Sequence, residues 1–240
     1  MKIDVMGLKF DSVTMDEALS RAEALLRGEK AAYVVTPNAE IAYEALHDVQ
    51  LRELLNGADL MLPDGAGVVL ASKLLRTPVK QKVAGVDFAA GLLGVLERNG
   101  QSLYLLGGKP GIGELAAQKM LEAHPQLRIA GIADGYFQDE TPVIEKINAS
   151  GADALFVCLG APKQERFMVQ HQQELRVHLM AGLGGSLDAF AGTVQRAPAW
   201  MIRLNLEWLY RLIREPKRFR RMLRLPKYLW AVMLKRIRGT

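Results

Sequence analysis

Short apolar runs alternate along the chain with longer segments in which apolar residues recur at helical spacing. Thr14 and Glu17 form a capping-box pair, which predicts that a helix begins between them. Alternation of this kind is typical of βαβ units around a parallel sheet. We therefore predict an α/β, Rossmann-like fold with a largely parallel sheet flanked by helices. The runs that we interpret as strands, each followed by a polar or glycine-rich turn, are residues 33–35, 59–62, 102–106, 128–133, 154–159 and 178–183.

The end of the chain differs from the rest in charge and aromatic content. Residues 198–240, called the C-terminal segment below, contain twelve Lys and Arg, two acids and all three tryptophans. The whole chain has 31 basic and 26 acidic residues, so the segment carries a net charge of +10 and residues 1–197 carry −5. We predict an α/β domain over residues 1–197 and a basic, helical appendage over residues 198–240.

The C-terminal segment has two possible partners. Residues 204–213 have the apolar spacing of an amphipathic helix, and residues 227–236 place aromatic and aliphatic side chains between cations. That pattern favours a helix lying among the headgroups of an anionic membrane surface. The alternative is a pair of helices packed on the domain with solvated arginines. An exposed apolar face also suggests a homo-oligomer where no membrane is present.

Composition excludes several classes of protein. Half of the residues are hydrophobic, 24% are charged and the mean hydropathy is +0.04, which excludes a disordered chain and a polytopic membrane protein. No apolar stretch approaches the roughly 20 residues of a spanning helix, and the N-terminus lacks a signal-peptide core. One cysteine, Cys158, and four scattered histidines predict neither a disulfide nor a metal site. We expect a cytoplasmic protein.

Polar and glycine residues follow most of the predicted strands. Because the carboxyl ends of parallel strands form one edge of a sheet, we expect these residues to line a common pocket. Amides suit phosphates, and carboxylates and side-chain amides suit hydroxyl groups, so the pocket suits a nucleotide or a nucleotide sugar. The residues are Thr36, Asn38, Asp64, Gly107, Gly108, Lys109, Asp134, Gly160, Lys163, Gln164, Glu165, Gly184, Gly185 and Asp188.

Two of these features have competing interpretations. The glycine-rich turn 107–113 suits a diphosphate, but with Asp134 it also resembles the spacing of NAD(P)-dependent oxidoreductases, and it is equally compatible with a tight strand–helix connection. No Tyr-x-x-x-Lys pair is present to support the oxidoreductase. Asp64 suits a general base or the N-cap of a following helix. There is no Asp-x-Asp, so we expect arginines rather than a metal to neutralise a leaving diphosphate.

Taken together, the motifs resemble those of the WecG/TagA/CpsF family of bacterial glycosyltransferases. The position before residue 83 is commonly arginine in this family and is Lys82 here, which keeps the charge but loses the bidentate fork. The matching segments are 36–40, 62–68, 83–87, 106–111, 160–165, 184–192, 196–198, 206–212, and Glu215, Pro216 and Arg218.

The resemblance implies an inverting, metal-independent enzyme without cofactors. It would move N-acetylmannosamine from UDP to the GlcNAc of an undecaprenyl-diphosphate-linked acceptor, in synthesis of a cell-surface polymer such as wall teichoic acid. The implied roles are a general base for Asp64, sugar binding for Thr36, Asn38 and Gln164, and a UDP pocket from the glycine turns, Asp134, Tyr136 and Asp188. Arg211, Arg218 and Arg221 would reach the diphosphate.

Some choices stay open within the resemblance. The donor is UDP-N-acetylmannosamine, its uronic acid or a UDP-hexose, and Lys82 or Lys163 would supply the cation that a uronate requires. Because the acceptor is a lipid, we expect a peripheral protein on the inner face of the cell membrane. A nucleic-acid-binding protein is the non-enzymatic alternative, but the aliphatic run near residues 229–234 suits lipid better than RNA, so no nucleic-acid partner is expected.

Overall fold

The computed structural model describes residues 1–204, 206–214 and 219–238, without the side chains of Arg211, Arg220 and Arg221. Its main sheet has six parallel strands in the order β4-β3-β8-β7-β5-β6, which confirms the predicted α/β, Rossmann-like fold. These strands are β3 (Ala32–Val35), β4 (Leu60–Met61), β5 (Ser102–Gly107), β6 (Arg128–Ala133), β7 (Ala154–Cys158) and β8 (Leu179–Gly182).

Helices cover both faces of this sheet, and two hydrophobic clusters fill the spaces between the layers. Successive residues of the strands enter opposite clusters, as the two-residue period of a strand requires, except where β6 is irregular around Gly131. None of the helices in the described ranges is long and apolar enough to span a bilayer. In chain order the helices are α1 (Met15–Leu25), α2 (Ala39–Ala45), α3 (Val49–Asn56), α4 (Gly65–Leu74), α5 (Gly85–Arg98), α6 (Ile112–Ala123), α7 (Thr141–Ser150), α8 (Lys163–Gln170), α9 (Ser186–Phe190), α10 (Ala199–Arg203), α11 (Glu207–Arg214), α12 (Phe219–Met222) and α13 (Arg224–Arg238).

The capping box at the start of α1 is present as predicted. Thr14 Oγ1 accepts a hydrogen bond from the Glu17 amide at 3.2 Å, and the Glu17 carboxylate accepts one from the Thr14 amide at 2.9 Å. Two of the helix's unpaired amides are thus satisfied by side chains. This start is therefore fixed by local sequence.

The two edges of the sheet are finished differently. An antiparallel hairpin, β1 (Lys2–Val5) and β2 (Leu8–Asp11), contacts the short edge strand β4, where buried Asp11 accepts the Met61 amide at 3.0 Å. At the other edge, the pairing of β5 with β6 shifts register so that Ala130 has no partner. Gly131 leaves space there for the ring of Tyr104. One edge is thus covered and the other is irregular.

The last helix is part of the core. In α13, Tyr228 and Val232 are fully buried and belong to the same cluster as residues of β3, α2 and α4. The close packing of α13 against α4 depends on Gly67, because a methyl group there would lie 2.6 Å from both Ala39 Cβ and Leu225 Cδ1. The hydrophobic core therefore extends beyond residue 197 into the C-terminal segment.

Candidate functional site

The predicted site residues follow the carboxyl ends of the strands, all at one edge of the main sheet. Next to β8, Thr36 Oγ1 donates a hydrogen bond to the Gly182 carbonyl at 3.1 Å. Gln164 lies on the other side of the same strand end, where its Oε1 accepts from the Gly184 amide at 2.8 Å. The end of β8 thus brings Thr36 and Gln164 together across 128 positions of the chain.

Asp64 occupies the N-cap position of α4 but does not cap that helix with its side chain. Its Oδ2 instead accepts a hydrogen bond from the amide of Gly85, the first residue of α5, at 3.2 Å. A carboxylate is stabilised at the positive end of a helix dipole. A methyl group on Gly85 would lie 2.9 Å from Thr36 Oγ1, so this turn also brings Asp64 towards Thr36.

Asn38 is fixed as the N-cap of α2. Its Oδ1 accepts from the amides of Glu40 at 2.9 Å and Ile41 at 3.1 Å, so its amide nitrogen is the part of the side chain left to donate to a ligand. A methyl group on Gly65 would lie 3.6 Å from Asn38 Cβ, which places Asn38 beside the turn that carries Asp64. Thr36, Asn38, Asp64 and Gln164 therefore form one cluster.

Lys82 lies near the turn that carries Asp64, at the same edge of the sheet. The amide of its neighbour Val83 donates to the Pro63 carbonyl at 3.0 Å, and the Lys82 side chain is half-buried. Lys82 is therefore one residue from the backbone bond that joins the segments around residues 63 and 83.

The glycine turn after β5 is shaped by close backbone contact. Gly107 has φ +124°, and a side chain on it would collide with the backbone of Cys158. The Gly108 amide donates to the Cys158 carbonyl at 3.3 Å, and the Gly108 carbonyl accepts from the Gly135 amide at 3.0 Å. These contacts support the interpretation as a tight strand–helix connection, because the Gly108 amide already has a partner within the protein.

The turn after β6 presents an aromatic ring, and a cation from the start of α8 lies against this turn. Asp134 Oδ1 accepts from the Tyr136 amide at 2.8 Å, and the Tyr136 ring is 68% exposed. Lys163 Nζ donates to the Gly135 carbonyl at 3.4 Å and lies 4.4 Å from the centre of the Phe137 ring. Asp134, Tyr136 and Lys163 thus lie together.

The loops after β7 and β8 connect the two groups of residues. Gly160 has φ +77°, a conformation that favours glycine. A methyl group on Gly185 would lie 3.8 Å from Asp188 Oδ2, and one on Gly108 would lie 3.9 Å from Leu187 Cδ1. The start of α9 is therefore adjacent to the glycine turn as well as to the end of β8.

Glu165 does not reach the surface of the cleft. It is 1% exposed, its Oε1 accepts from Gln164 Nε2 at 2.9 Å, and its Oε2 is buried with no hydrogen-bond partner among the described residues. Burial raises the pKa of its carboxyl group, and the nearby Glu44 carboxylate raises it further, while the Gln164 bond opposes them. Glu165 thus contacts a predicted sugar-binding residue rather than the cleft itself.

The structure does not describe the side chains of the three arginines that were predicted to reach the diphosphate. Arg211 and Arg221 lie in α11 and α12, but their side chains are not described, and Arg218 lies outside the described residues. Their roles stay predictions.

The sequence motifs assigned no role to Arg196, which forms a bidentate ion pair with Asp87 in the structure. The one indication in the sequence was that both residues lie in segments that match the family motifs, 83–87 and 196–198.

Comparison with known proteins identifies the family. The chain matches the glycosyl transferase WecG/TagA/CpsF family over residues 3–240. Two similar relatives are both named N-acetylglucosaminyldiphosphoundecaprenol N-acetyl-beta-D-mannosaminyltransferase. The relative from Bacillus subtilis (strain 168) is 42% identical over 202 residues, which cover 84% of this chain and 79% of the relative. The relative from Staphylococcus aureus (strain MRSA252) is 33% identical over 236 residues, which cover 96% and 92%.

The family match includes both the sheet that carries the site and the C-terminal segment. It agrees with the resemblance found in the sequence motifs and favours a transferase over the oxidoreductase and nucleic-acid alternatives. The chain belongs to the WecG/TagA/CpsF family of glycosyl transferases.

Proposed function

We propose that this protein transfers N-acetylmannosamine from UDP-N-acetylmannosamine to the GlcNAc of an undecaprenyl-diphosphate-linked acceptor. The transfer inverts the anomeric centre, needs no metal and serves a cell-surface polymer such as wall teichoic acid. The supporting observation is the cluster of Thr36, Asn38, Asp64 and Gln164 at one edge of the sheet. The names of the relatives describe this sugar and this acceptor.

Asp64 is the general base of the proposed mechanism. The Gly85 amide, in the first residue of α5, holds the Asp64 carboxylate in position for this role. Asp64 takes the proton of the acceptor hydroxyl while that oxygen bonds to the anomeric carbon, on the face opposite UDP. The bond from the anomeric carbon to UDP breaks, and UDP leaves with the electron pair. Attack from the opposite face inverts the configuration.

The remaining residues bind the substrates and stabilise charge. We assign sugar binding to Thr36, Asn38 and Gln164, of which Asn38 has an amide nitrogen left to donate, and nucleotide binding to the turns after β5, β6 and β7. The chain contains no Asp-x-Asp. We assign neutralisation of the departing diphosphate to Arg211, Arg218 and Arg221, because guanidinium groups bind phosphate oxygens through paired hydrogen bonds.

The C-terminal segment docks on the anionic inner face of the membrane in this proposal. Nine of the fourteen exposed large hydrophobic side chains in the described residues belong to it. Basic residues near an anionic surface contribute about 1 kcal/mol each. The exposed side chains in the segment are Trp200, Leu204, Trp208, Ile213, Phe219, Leu223, Trp230, Met233 and Ile237.

A product analysis tests the transfer. We expect the protein to transfer sugar from UDP-N-acetylmannosamine, and not from its uronic acid or UDP-glucose, to a short-chain lipid-diphosphate-GlcNAc, with an unchanged rate in EDTA. Asp64→Asn should lower kcat at least about 100-fold, because it removes the base. Asp16→Asn, an exposed aspartate in the first turn of α1, is the matched control and should keep full activity. Full activity of Asp64→Asn, or preference for another donor, contradicts the proposal.

A further inference from the structure

Two of the family-like segments, 83–87 and 196–198, meet in the structure. Arg196 Nη1 and Nη2 donate to Asp87 Oδ1 at 2.6 Å and Oδ2 at 3.2 Å, across 109 positions of the chain. A bidentate pair between a guanidinium and a carboxylate restricts the relative orientation of the two groups as well as their distance. The pair therefore fixes how residue 196 lies against α5.

This ion pair lies beside the proposed base. Asp87 is in the first turn of α5, the turn whose Gly85 amide holds Asp64. The Asp87 hydrogen bond raises the pKa of the Arg196 guanidinium, and the carboxylates of Glu207 and Asp64 raise it further. Arg196 is thus within electrostatic reach both of Asp64 and of the first turn of α11.

The pair also lies where the C-terminal segment begins. Arg196 precedes this segment by two residues, and the first residue of α13, Arg224, is attached to α2 because its Nη1 donates to Glu44 Oε2 at 2.7 Å. The intervening residues 197–223 include the three arginines assigned to the diphosphate. The segment that carries these arginines therefore begins beside the turn that holds Asp64.

We propose that Asp87 and Arg196 are positioning residues, whose ion pair fixes the start of the C-terminal segment beside Asp64 so that the segment's cations reach the departing diphosphate. This inference rests on the proposed function. Asp87 and Arg196 side chains are 41% and 34% exposed, and exposed pairs add little stability. The pair therefore acts by fixing geometry. Its loss should lower kcat more than it lowers the free energy of unfolding.

Kinetics of paired variants test this role. We expect Arg196→Ala and Asp87→Asn each to lower kcat at least about tenfold, with KM for the UDP-sugar changed less than about twofold, because the nucleotide pocket is elsewhere. The double variant should be no slower than either single variant, since the two residues act as one unit. Lys80→Ala breaks a remote exposed ion pair with Glu17 and should leave kcat unchanged. A kcat near that of the unmodified protein, or losses that multiply in the double variant, would overturn the proposal.

Hydrogen exchange gives a readout that does not depend on activity. Amides of α10 and α11 should exchange faster in Arg196→Ala and Asp87→Asn than in Lys80→Ala, whereas those of α6 should not change. Arg196→Lys keeps the charge without the fork and should give an intermediate rate. Unchanged exchange in α10 and α11 overturns the positioning role even if the protein transfers N-acetylmannosamine. Absence of that transfer in the unmodified protein refutes the proposed function alone.

Discussion

Glu165 shows what a strand-end position alone leaves undetermined. Its place in the segment 160–165 predicted a ligand contact, and the neighbouring Gln164 does lie at the end of β8. Glu165 points into the protein, where its Oε1 accepts from Gln164 Nε2 at 2.9 Å, and both side chains are buried. Its buried Oε2 has no partner among the described residues, so ionisation there is costly.

Replacing this carboxyl group should change how stability depends on pH. Because the folded-state pKa of Glu165 is raised above its ordinary 4.5, its contribution to stability is present below pH 4.5 and is lost as the pH rises through the folded-state pKa. Glu165→Gln has no carboxyl group to ionise at this position, so it does not lose this stability as the pH rises. The variant's free energy of unfolding, relative to the unmodified protein, should therefore increase from pH 4.5 to pH 8 in urea titrations.

A second glutamate provides a control of opposite sign. The pKa of exposed Glu122 is lowered by its hydrogen bond with Lys119, so that contribution is present above pH 4.5 and is lost as the pH falls through the folded-state pKa. Glu122→Gln should thus become relatively less stable as the pH rises. Parallel pH curves for Glu165→Gln and the unmodified protein would show that Glu165 is not desolvated.

At the scale of elements, α13 packs on the domain, as one of the two interpretations of the C-terminal helices predicted, and leaves an aromatic side chain exposed. Tyr228 and Val232, one turn apart, pack against α2 and α4, whereas Trp230 is 61% exposed. Pro226 is tolerated because it lies in the first turn of the helix. The spacing of Tyr228 and Val232 was visible in the sequence, but their partner was not, because the groove beside Gly67 exists only after α2 and α4 have packed.

Two substitutions of Tyr228 separate burial from hydrogen bonding. Its hydroxyl has no partner among the described residues, so Tyr228→Phe should keep stability or raise it by about 1 kcal/mol. Tyr228→Ala should cost about 3–5 kcal/mol, because it opens a cavity in the core. Trp230→Ala, on the exposed face, should stay within about 0.5 kcal/mol. Denaturant unfolding measures all three, and equal losses for Tyr228→Ala and Trp230→Ala would contradict the packing of α13.

At the scale of the whole molecule, the C-terminal segment cannot be removed without affecting the core. Deletion from residue 198 would uncover the site that Tyr228 and Val232 fill, so a truncated chain would lose both its core packing and its cations. Substitutions of exposed residues are therefore the sharper test of membrane docking.

Vesicle binding provides that test. The full-length protein should co-sediment with phosphatidylglycerol-containing vesicles, bind pure phosphatidylcholine less, and release as salt rises. The double variant Trp200→Ala/Trp230→Ala should bind at least about tenfold more weakly, equivalent to about 1.4 kcal/mol. Leu121→Ala, an exposed apolar residue of α6, should bind normally. Equal binding of the double variant, or preference for an oligonucleotide over vesicles, would contradict a lipid-facing role.

The sequence predicted elements better than their arrangement. The strand predicted over residues 33–35, the helix beginning near Met15 and the polar ends of the strands follow from local patterns. The order β4-β3-β8-β7-β5-β6 and the β1–β2 hairpin do not, because they depend on long-range pairing. In the site, the sequence predicted that residues 36, 38, 64 and 164 lie at strand ends on one edge of the sheet. The hydrogen bond between Asp64 and the Gly85 amide could not be predicted, because it depends on the folded turn.

The unequal edges of the sheet limit how copies of this protein can associate. The hairpin bearing Asp11 blocks strand addition next to β4, and the unpaired Ala130 interrupts the regular series of backbone donors and acceptors along β6. Natural sheets use such covers and bulges against fibrous aggregation. We therefore expect any homo-oligomer to form through helices and loops, with each copy keeping a separate sheet.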